Sequence, residues 1–260
     1  MTDSYYVARA DGLFQPTRHV QGAWHDHEQH MAPVSGLIVH AIDAHEPRPE
    51  LQLARITFDI LGVIPAEPSE VVVTTVRPGR TIELVEATLV VQNRPRVRAR
   101  AWRLARHDSG AVAGGELLEL PEPGTFESWD GTKVWKGGYI ASLEARADPA
   151  NVPGRGRTWL RTDVTLVEGV EVSPTAAYVG LLDTANGMVV RESPRQWMFP
   201  NVDLTVHLFR QPTAGWVGFD TTVVFGPDGV GLTSTTLHDS HGPVGRCEQA
   251  LTVRELTTGG

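Results

Sequence analysis

The sequence predicts an α+β protein built from two copies of one unit, each a buried helix followed by antiparallel strands. Three observations carry that prediction. Two apolar stretches have helical character, 33–45 (PVSGLIVHAIDAH) and 173–187 (SPTAAYVGLLDTANG). Each is followed by runs rich in Val, Ile, Leu and Thr, separated by turn residues. Finally, 83–99 can be laid on 231–247 without a gap. Leu84 then meets Leu232, Thr88 meets Thr236, Leu89 meets Leu237, Pro95 meets Pro243 and Arg98 meets Arg246. The same order of helix and strands on both sides makes this an internal duplication.

The first helix, 33–45, opens with Pro33 and is apolar almost all round, the signature of burial. Four strand segments follow at 51–64, 71–76, 81–92 and 96–104, punctuated by RPGR at 77–80 and QNRP at 92–95. Residues 107–131 are rich in Gly, Pro and acid and read as a linker or surface loop. KVWKGGYIASLEA (133–145) and TWLRTDVTLV (158–167) then read as strands. In the second helix, 173–187, Ser173 is placed to cap, Pro174 suits the first helical position and Gly187 can end it. The last strands are expected at 203–209, 216–225, 229–237 and 244–254. The boundaries predicted are a first half over 1–106, a linker over 107–131 and a second half over 132–260.

Composition narrows the function classes. The chain of 260 residues is 41% hydrophobic and 21% charged, enough for a sizeable packed core. Acidic residues outnumber basic ones, 31 to 23, which argues against general nucleic-acid binding. Cys247 is the only cysteine, so no intrachain disulfide forms. The amino-terminal residues show no apolar signal core, and no apolar run is long enough to cross a bilayer. A cytoplasmic protein is expected.

Polar residues in apolar rows mark the candidate site. Asp183 lies in the middle of the second apolar helix, where a carboxylate needs partners. In RCEQALTVR, strand alternation places Gln249 on the face of Cys247, Leu251 and Val253. The duplication sets Ala101 opposite Gln249 and Ile42 opposite Asp183, although Asp43 is only one residue away. One copy keeps buried polar groups where the other is apolar, which places the site in the second half.

LLDTANG (181–187), NVDLTVHLFRQP (201–212), GPDGVGLTSTTLHDSHGPVGR (226–246) and EQALTVR (248–254), in this order after a first helix-and-strand unit, resemble the acyl-CoA thioesterase II family. The resemblance covers nearly the whole chain. It implies a double hotdog, two antiparallel sheets joined side by side, each wrapping a long central helix. It also implies hydrolysis of an acyl-CoA or acyl-carrier thioester by activated water. In that family an acid, a hydroxyl residue and a glutamine hold the water. Carried over, the acid is Asp183, the glutamine is Gln249 and the third position falls on Asn201, which departs from the family's hydroxyl; Thr205 is the nearby hydroxyl alternative. His30 and Gly36, near the expected acyl pocket, are candidates for substrate contact. Amides at the start of the 173–187 helix, or a nearby loop, would stabilise the oxyanion.

Other readings compete. No G-x-S-x-G elbow is present, which weighs against an ordinary serine hydrolase. Dehydratases of the fold pair a histidine with the acid, and His207 and His238 lie on second-half strands. A non-catalytic acyl-binding protein is the remaining alternative. WHDHEQH (24–30) gathers His25, Asp26, His27, Glu28 and His30, but no single local structure collects its histidines. It reads as a polar rim of the pocket, and no metal or other cofactor is expected. Arg94, Arg96, Arg98 and Arg100 alternate on one strand face, read as a solvated row rather than a phosphate dock. Apolar runs at 71–73 and 223–225 point to a homo-oligomer, a dimer of double hotdogs.

Overall fold

The computed structural model describes residues 3–115 and 117–256. Its first half contains β1 (Ser4–Ala8), β2 (Phe14–Pro16), α1 (Met31–Ala44), β3 (Leu51–Ile60), β4 (Ser69–Arg77), β5 (Ile82–Val91) and β6 (Arg94–Ala105). There follow β7 (Glu127–Trp129), α2 (Gly138–Ala141), β8 (Leu143–Ala147), β9 (Arg155–Thr162) and β10 (Thr165–Val167). The chain ends with α3 (Pro174–Val179), α4 (Ala185–Met188), β11 (Trp197–Met198), β12 (Asp203–Leu208), β13 (Val217–Phe225), β14 (Val230–Asp239), β15 (Gly242–Thr252) and β16 (Arg254–Glu255).

Fourteen of these strands form one sheet rather than two, in the order β10-β1-β2-β4-β5-β6-β3-β12-β15-β14-β13-β9-β8-β7. The halves meet at a seam where β3 pairs antiparallel with β12 and Thr57 faces Thr205. Thr57 pairs with Arg100 on one side, and Thr205 pairs with Glu248 on the other. The seam is therefore an approximate twofold axis, and it relates Ala101 to Gln249 and Val85 to Thr233. Alternation sends Val85, Ala87 and Leu89 of β5 inward, and Thr233, Thr235 and Leu237 of β14 inward.

Two features cross the expected boundaries. β10, from the second half, pairs in parallel with β1 and extends the first half's edge. β7 lies inside the stretch read as a linker and pairs with β8 at the opposite edge. The stretch 133–145, expected as a strand, is instead mostly α2 and the turn before it. Gly137 there has φ +100°, and a Cβ on Gly138 would collide with the Arg18 carbonyl. Extended pairing stops where the backbone must press that close.

The helices need the larger correction. α1 begins at Met31, two residues before Pro33, because the His30 ring nitrogen Nδ1 accepts from the Ala32 N–H and caps it. The second helix is not continuous. Ser173 caps α3 by accepting from Ala176 N–H, with Pro174 next, but α3 stops at Val179. A 3-10 turn, Leu182–Thr184, and then α4 follow. The break falls where the two helical segments cross. A Cβ on Gly36 would stand 2.8 Å from the Gly180 Cα, and Ser35 Oγ donates to the Val179 carbonyl at 2.9 Å. Glycine disfavours helix relative to other residues, and a Cβ on Gly36 would overlap the facing backbone. The chain tightens to i−3 bonds, Leu181 to Tyr178 and Thr184 to Leu181, so Asp183 sits in a 3-10 turn. The Ser35–Val179 and Gly36–Gly180 contacts place Val39, not Ile42, opposite Asp183.

Candidate active site

Asp183 is almost fully buried, 6% exposed, and its two carboxylate oxygens have different surroundings. Oδ1 accepts from Asn201 Nδ2 at 2.7 Å and from Gln249 Nε2 at 3.1 Å. Gln249 also donates to the Asp183 carbonyl at 3.3 Å. Oδ2 takes neither bond and lies 3.6 Å from His30 Nδ1. Each partner is placed by its element. Gln249 lies in the inward row of β15 opposite Thr233, and Asn201 sits just before β12, bridged to Leu251. A further bond from Asn201 Nδ2 to the Asp203 carbonyl, 2.9 Å, fixes its amide, and its oxygen takes no donor among the described residues.

Burial raises the Asp183 carboxyl to about 6, against the lowering influence of the Asn201 and Gln249 hydrogen bonds. Burial lowers His30 to about 3. The close approach of His30 and Asp183 is therefore not an ion pair at neutral pH. His30 Nδ1 already accepts from Ala32, so the ring proton resides on Nε2. The ring lies over Tyr139, centroids 4.3 Å apart, and the Tyr139 hydroxyl bonds Thr184 Oγ1 at 2.6 Å.

Asp183, Asn201, His30 and Thr184 line a cavity of about 370 Å³. Both halves build it: the 22–31 loop, Ile60 at the end of β3 with 62–64 beyond it, the Asp183–Met188 segment, 198–202, and parts of 129–145. Its walls carry Trp24, Trp129 and Trp135. Trp24 and Trp135 pack edge to face at 5.1 Å, with Phe199 5.8 and 5.9 Å from them. Trp135 is pinned by a 2.9 Å bond from Nε1 to the Gly187 carbonyl. The result is a largely apolar chamber with the buried acid Asp183 at its wall, a form suited to an aliphatic or aromatic group attached to a polar reacting centre.

The structure thus brings together Asp183, Gln249, Asn201 and His30. It does not bring in Thr205 or Gly36. Thr205 lies at the seam, 3.5 Å from Asp203 Oδ2, and Gly36 is consumed by the helix crossing. The start of the Ser173 helix is also remote from the role expected of it. Ser173 Oγ donates to Asp43 Oδ2 at 2.6 Å, at the carboxyl end of α1, so the helix that begins beside Asp183 is α1. Neither His207, which is exposed, nor His238, whose Nε2 meets the Leu118 carbonyl at 3.0 Å, touches the acid. Burial pushes the Cys247 thiol up, the opposite of what a nucleophile requires.

WHDHEQH does line the chamber, through Trp24, His25, Glu28, Gln29 and His30. His25 and His27 stack on each other at 5.3 Å while His30 turns to Asp183. Among the described residues no three His, Cys, Asp or Glu side chains converge as a metal group. Sequence reasoning missed Asn186, one turn beyond Asp183, whose Nδ2 donates to the Phe199 carbonyl at 3.0 Å and whose Oδ1 accepts from Thr233 at 3.3 Å. Its signal was a third polar residue in an apolar run. Tyr139 and Trp135 carried no comparable signal.

The chain matches two family descriptions, "Acyl-CoA thioesterase N-terminal domain" over residues 20–104 and "Acyl-CoA thioesterase C-terminal domain" over residues 115–253. No curated protein matches it significantly. Solved structures do. A conserved protein of unknown function with a hot dog fold from Alicyclobacillus acidocaldarius is 14% identical with a TM-score of 0.75, covering 97% of each chain. An acyl-CoA thioesterase II, TesB2, from Mycobacterium marinum is 13% identical with a TM-score of 0.67, covering 98% of this chain and 97% of that one. A tesB protein from Mycobacterium avium subs paratuberculosis is 16% identical with a TM-score of 0.70, covering 96% and 95%. At these identities the likeness is one of fold, the hotdog. With both domain families matched in order across nearly its whole length, the chain belongs to the acyl-CoA thioesterase family and is a thioester hydrolase.

Proposed function

We propose that the protein hydrolyses acyl-CoA thioesters by direct attack of water, with Asp183 as the general base and no covalent enzyme intermediate. One observation carries this reading: Asn201 and Gln249 both bond Oδ1 of a buried acid that lines the cavity, and neither bonds Oδ2. A carboxyl raised to about 6 is ionised at neutral pH yet basic enough to accept a proton. Water bound at Oδ2 loses its proton to Asp183 as its oxygen bonds the thioester carbon. The carbonyl oxygen becomes an oxyanion at the start of α1, where the first-turn amide of Met31 and the His30 Nε2–H are the donors at hand. When the C–S bond breaks, the thiolate takes the proton back from Asp183. The products are an acid and a thiol, and no metal or cofactor enters. The acyl chain occupies the tryptophan-lined chamber.

The test is thiol release from an acyl-CoA series. Asp183→Asn keeps the shape and the amide clamp, and kcat should fall by about 100-fold or more. Turnover equal to wild type would reject Asp183 as the base. The nearness of His30 to Asp183 favours one second reading, addition of water to an enoyl thioester. Formation of a hydroxyacyl thioester without free thiol would select it.

A further inference from the structure

The cavity's exposed lip is formed by Gly62 and Val63 beyond β3 and by Val202 just before β12, on the two sides of the seam. An arginine from each half stands at that lip. Arg254, exposed at the start of β16, lines the cavity itself. Arg96, on β6 of the other half, donates from Nη1 to the Val63 carbonyl at 3.3 Å, and its Nε has no acceptor. Strand order puts β3 and β12 between β6, which carries Arg96, and β15, which leads by chain into Arg254.

Neither arginine has a carboxylate within ion-pair distance among the described residues. Both guanidiniums are thus free to take an anion, unlike those of Arg100, Arg103 and Arg210, which pair with Glu86, Glu83 and Asp239. Arg98 faces Asp59 across the strands. Of the alternating row, Arg96 is tied to the cavity lip through its bond to the Val63 carbonyl. Two unmatched guanidiniums on opposite sides of one apolar opening form a site for an anion larger than a single carboxylate.

We propose that Arg96 and Arg254 bind the phosphate groups of the thioester carrier. The assignment rests on the reading that this cavity receives an acyl thioester. The acyl chain then lies inward among the tryptophans, the thioester meets Asp183, and the carrier's anionic end remains at the lip. Nucleotide phosphates of coenzyme A and the phosphopantetheine of a carrier protein share this chemistry. The two guanidiniums add attraction for either without touching the reacting atoms.

The experiment compares one acyl group on three thiols: coenzyme A, 4′-phosphopantetheine and phosphate-free N-acetylcysteamine. Arg96→Ala and Arg254→Ala should each raise KM for acyl-CoA about tenfold. The N-acetylcysteamine ester should change less than twofold, and kcat should hold. An effect kept with phosphopantetheine assigns the single phosphate; an effect confined to coenzyme A assigns the nucleotide end. Calorimetric binding of free coenzyme A, which needs no turnover, should weaken in parallel. Equal changes on all three thiols, no change on any, or no coenzyme A binding by the unaltered protein would overturn the proposal. Arginine-dependent coenzyme A binding without hydrolysis of any thioester would leave it standing and refute the hydrolytic reading instead.

Discussion

At the scale of single residues, the site depends on the unequal treatment of the two Asp183 oxygens. The bonds from Asn201 and Gln249 lower the Asp183 pKa, and burial raises it more. Activity should therefore fall on the acid side with an apparent pKa near 6, measured as kcat against pH. Asn201→Ala or Gln249→Leu removes a lowering bond, so that limb should move to higher pH while kcat drops about tenfold or more. A residue that merely supports the fold would lower kcat without moving the limb. The same shift has a stability consequence. An acid whose folded pKa is raised binds more protons folded than unfolded, so its ionisation opposes folding as pH rises through about 4 to 6. Asp183→Asn removes that cost. Its melting temperature should exceed the wild type's at pH 8, by a few kcal/mol in stability, and should show little gain at pH 4. Calorimetric melting at both pH values checks the sign.

At the scale of elements, the helix crossing decides where the base stands. Gly180 ends α3 against Gly36, and the 3-10 turn that follows carries Asp183 three residues on. Gly36→Val puts branched carbons where a Cβ alone meets Gly180 Cα at 2.8 Å and the Ala176 carbonyl at 3.0 Å. Backbone cannot yield as a side chain does, so the variant should lose about 1–3 kcal/mol in urea unfolding and lose activity with it. The 22–31 loop makes a different contribution. Trp24 has aromatic neighbours but, unlike Trp135, its ring nitrogen makes no hydrogen bond among the described residues. Trp24→Ala should enlarge the chamber while sparing the fold. Relative kcat/KM across an acyl-CoA series should shift toward longer chains, and an unchanged profile would place the acyl group elsewhere.

At the scale of the molecule, one copy of a duplicated unit holds the site and the other supports it. Val39, Ala101 and Val85 stand where Asp183, Gln249 and Thr233 stand across the seam. The apolar half still supplies His30, the start of α1 and the Trp24 loop, so neither half makes the cavity alone. On the outer sheet face Val72, Val76, Val224, Val230 and Leu232 are exposed. Apolar exposure of this kind favours association, and light scattering should find a dimer at micromolar concentration. A monomer there would remove that expectation without touching the chemistry. No helix among the described residues is long and apolar enough to cross a membrane.

Much of this was legible in the chain itself. Alternation and helical runs are local properties, so they located β3 to β6, β9, β10, β12 to β15, both helical segments and the duplication, but not β1, β2, β7 or the short α2. Asp183 and Gln249 were visible because a polar group in an apolar row is costly unless it bonds, and each proved to be the other's partner. Asn201 followed from the family resemblance. Local pattern could not show that the second helix breaks, because the break comes from Gly36 pressing on Gly180 across 144 residues of chain. Nor could it show which helix begins beside the acid, which strand would cross to extend the first half, or that His30 and not His207 or His238 approaches Asp183. Those depend on how two separately written units pack about a shared axis. That packing is settled by long-range contacts, and only the tertiary structure contains them.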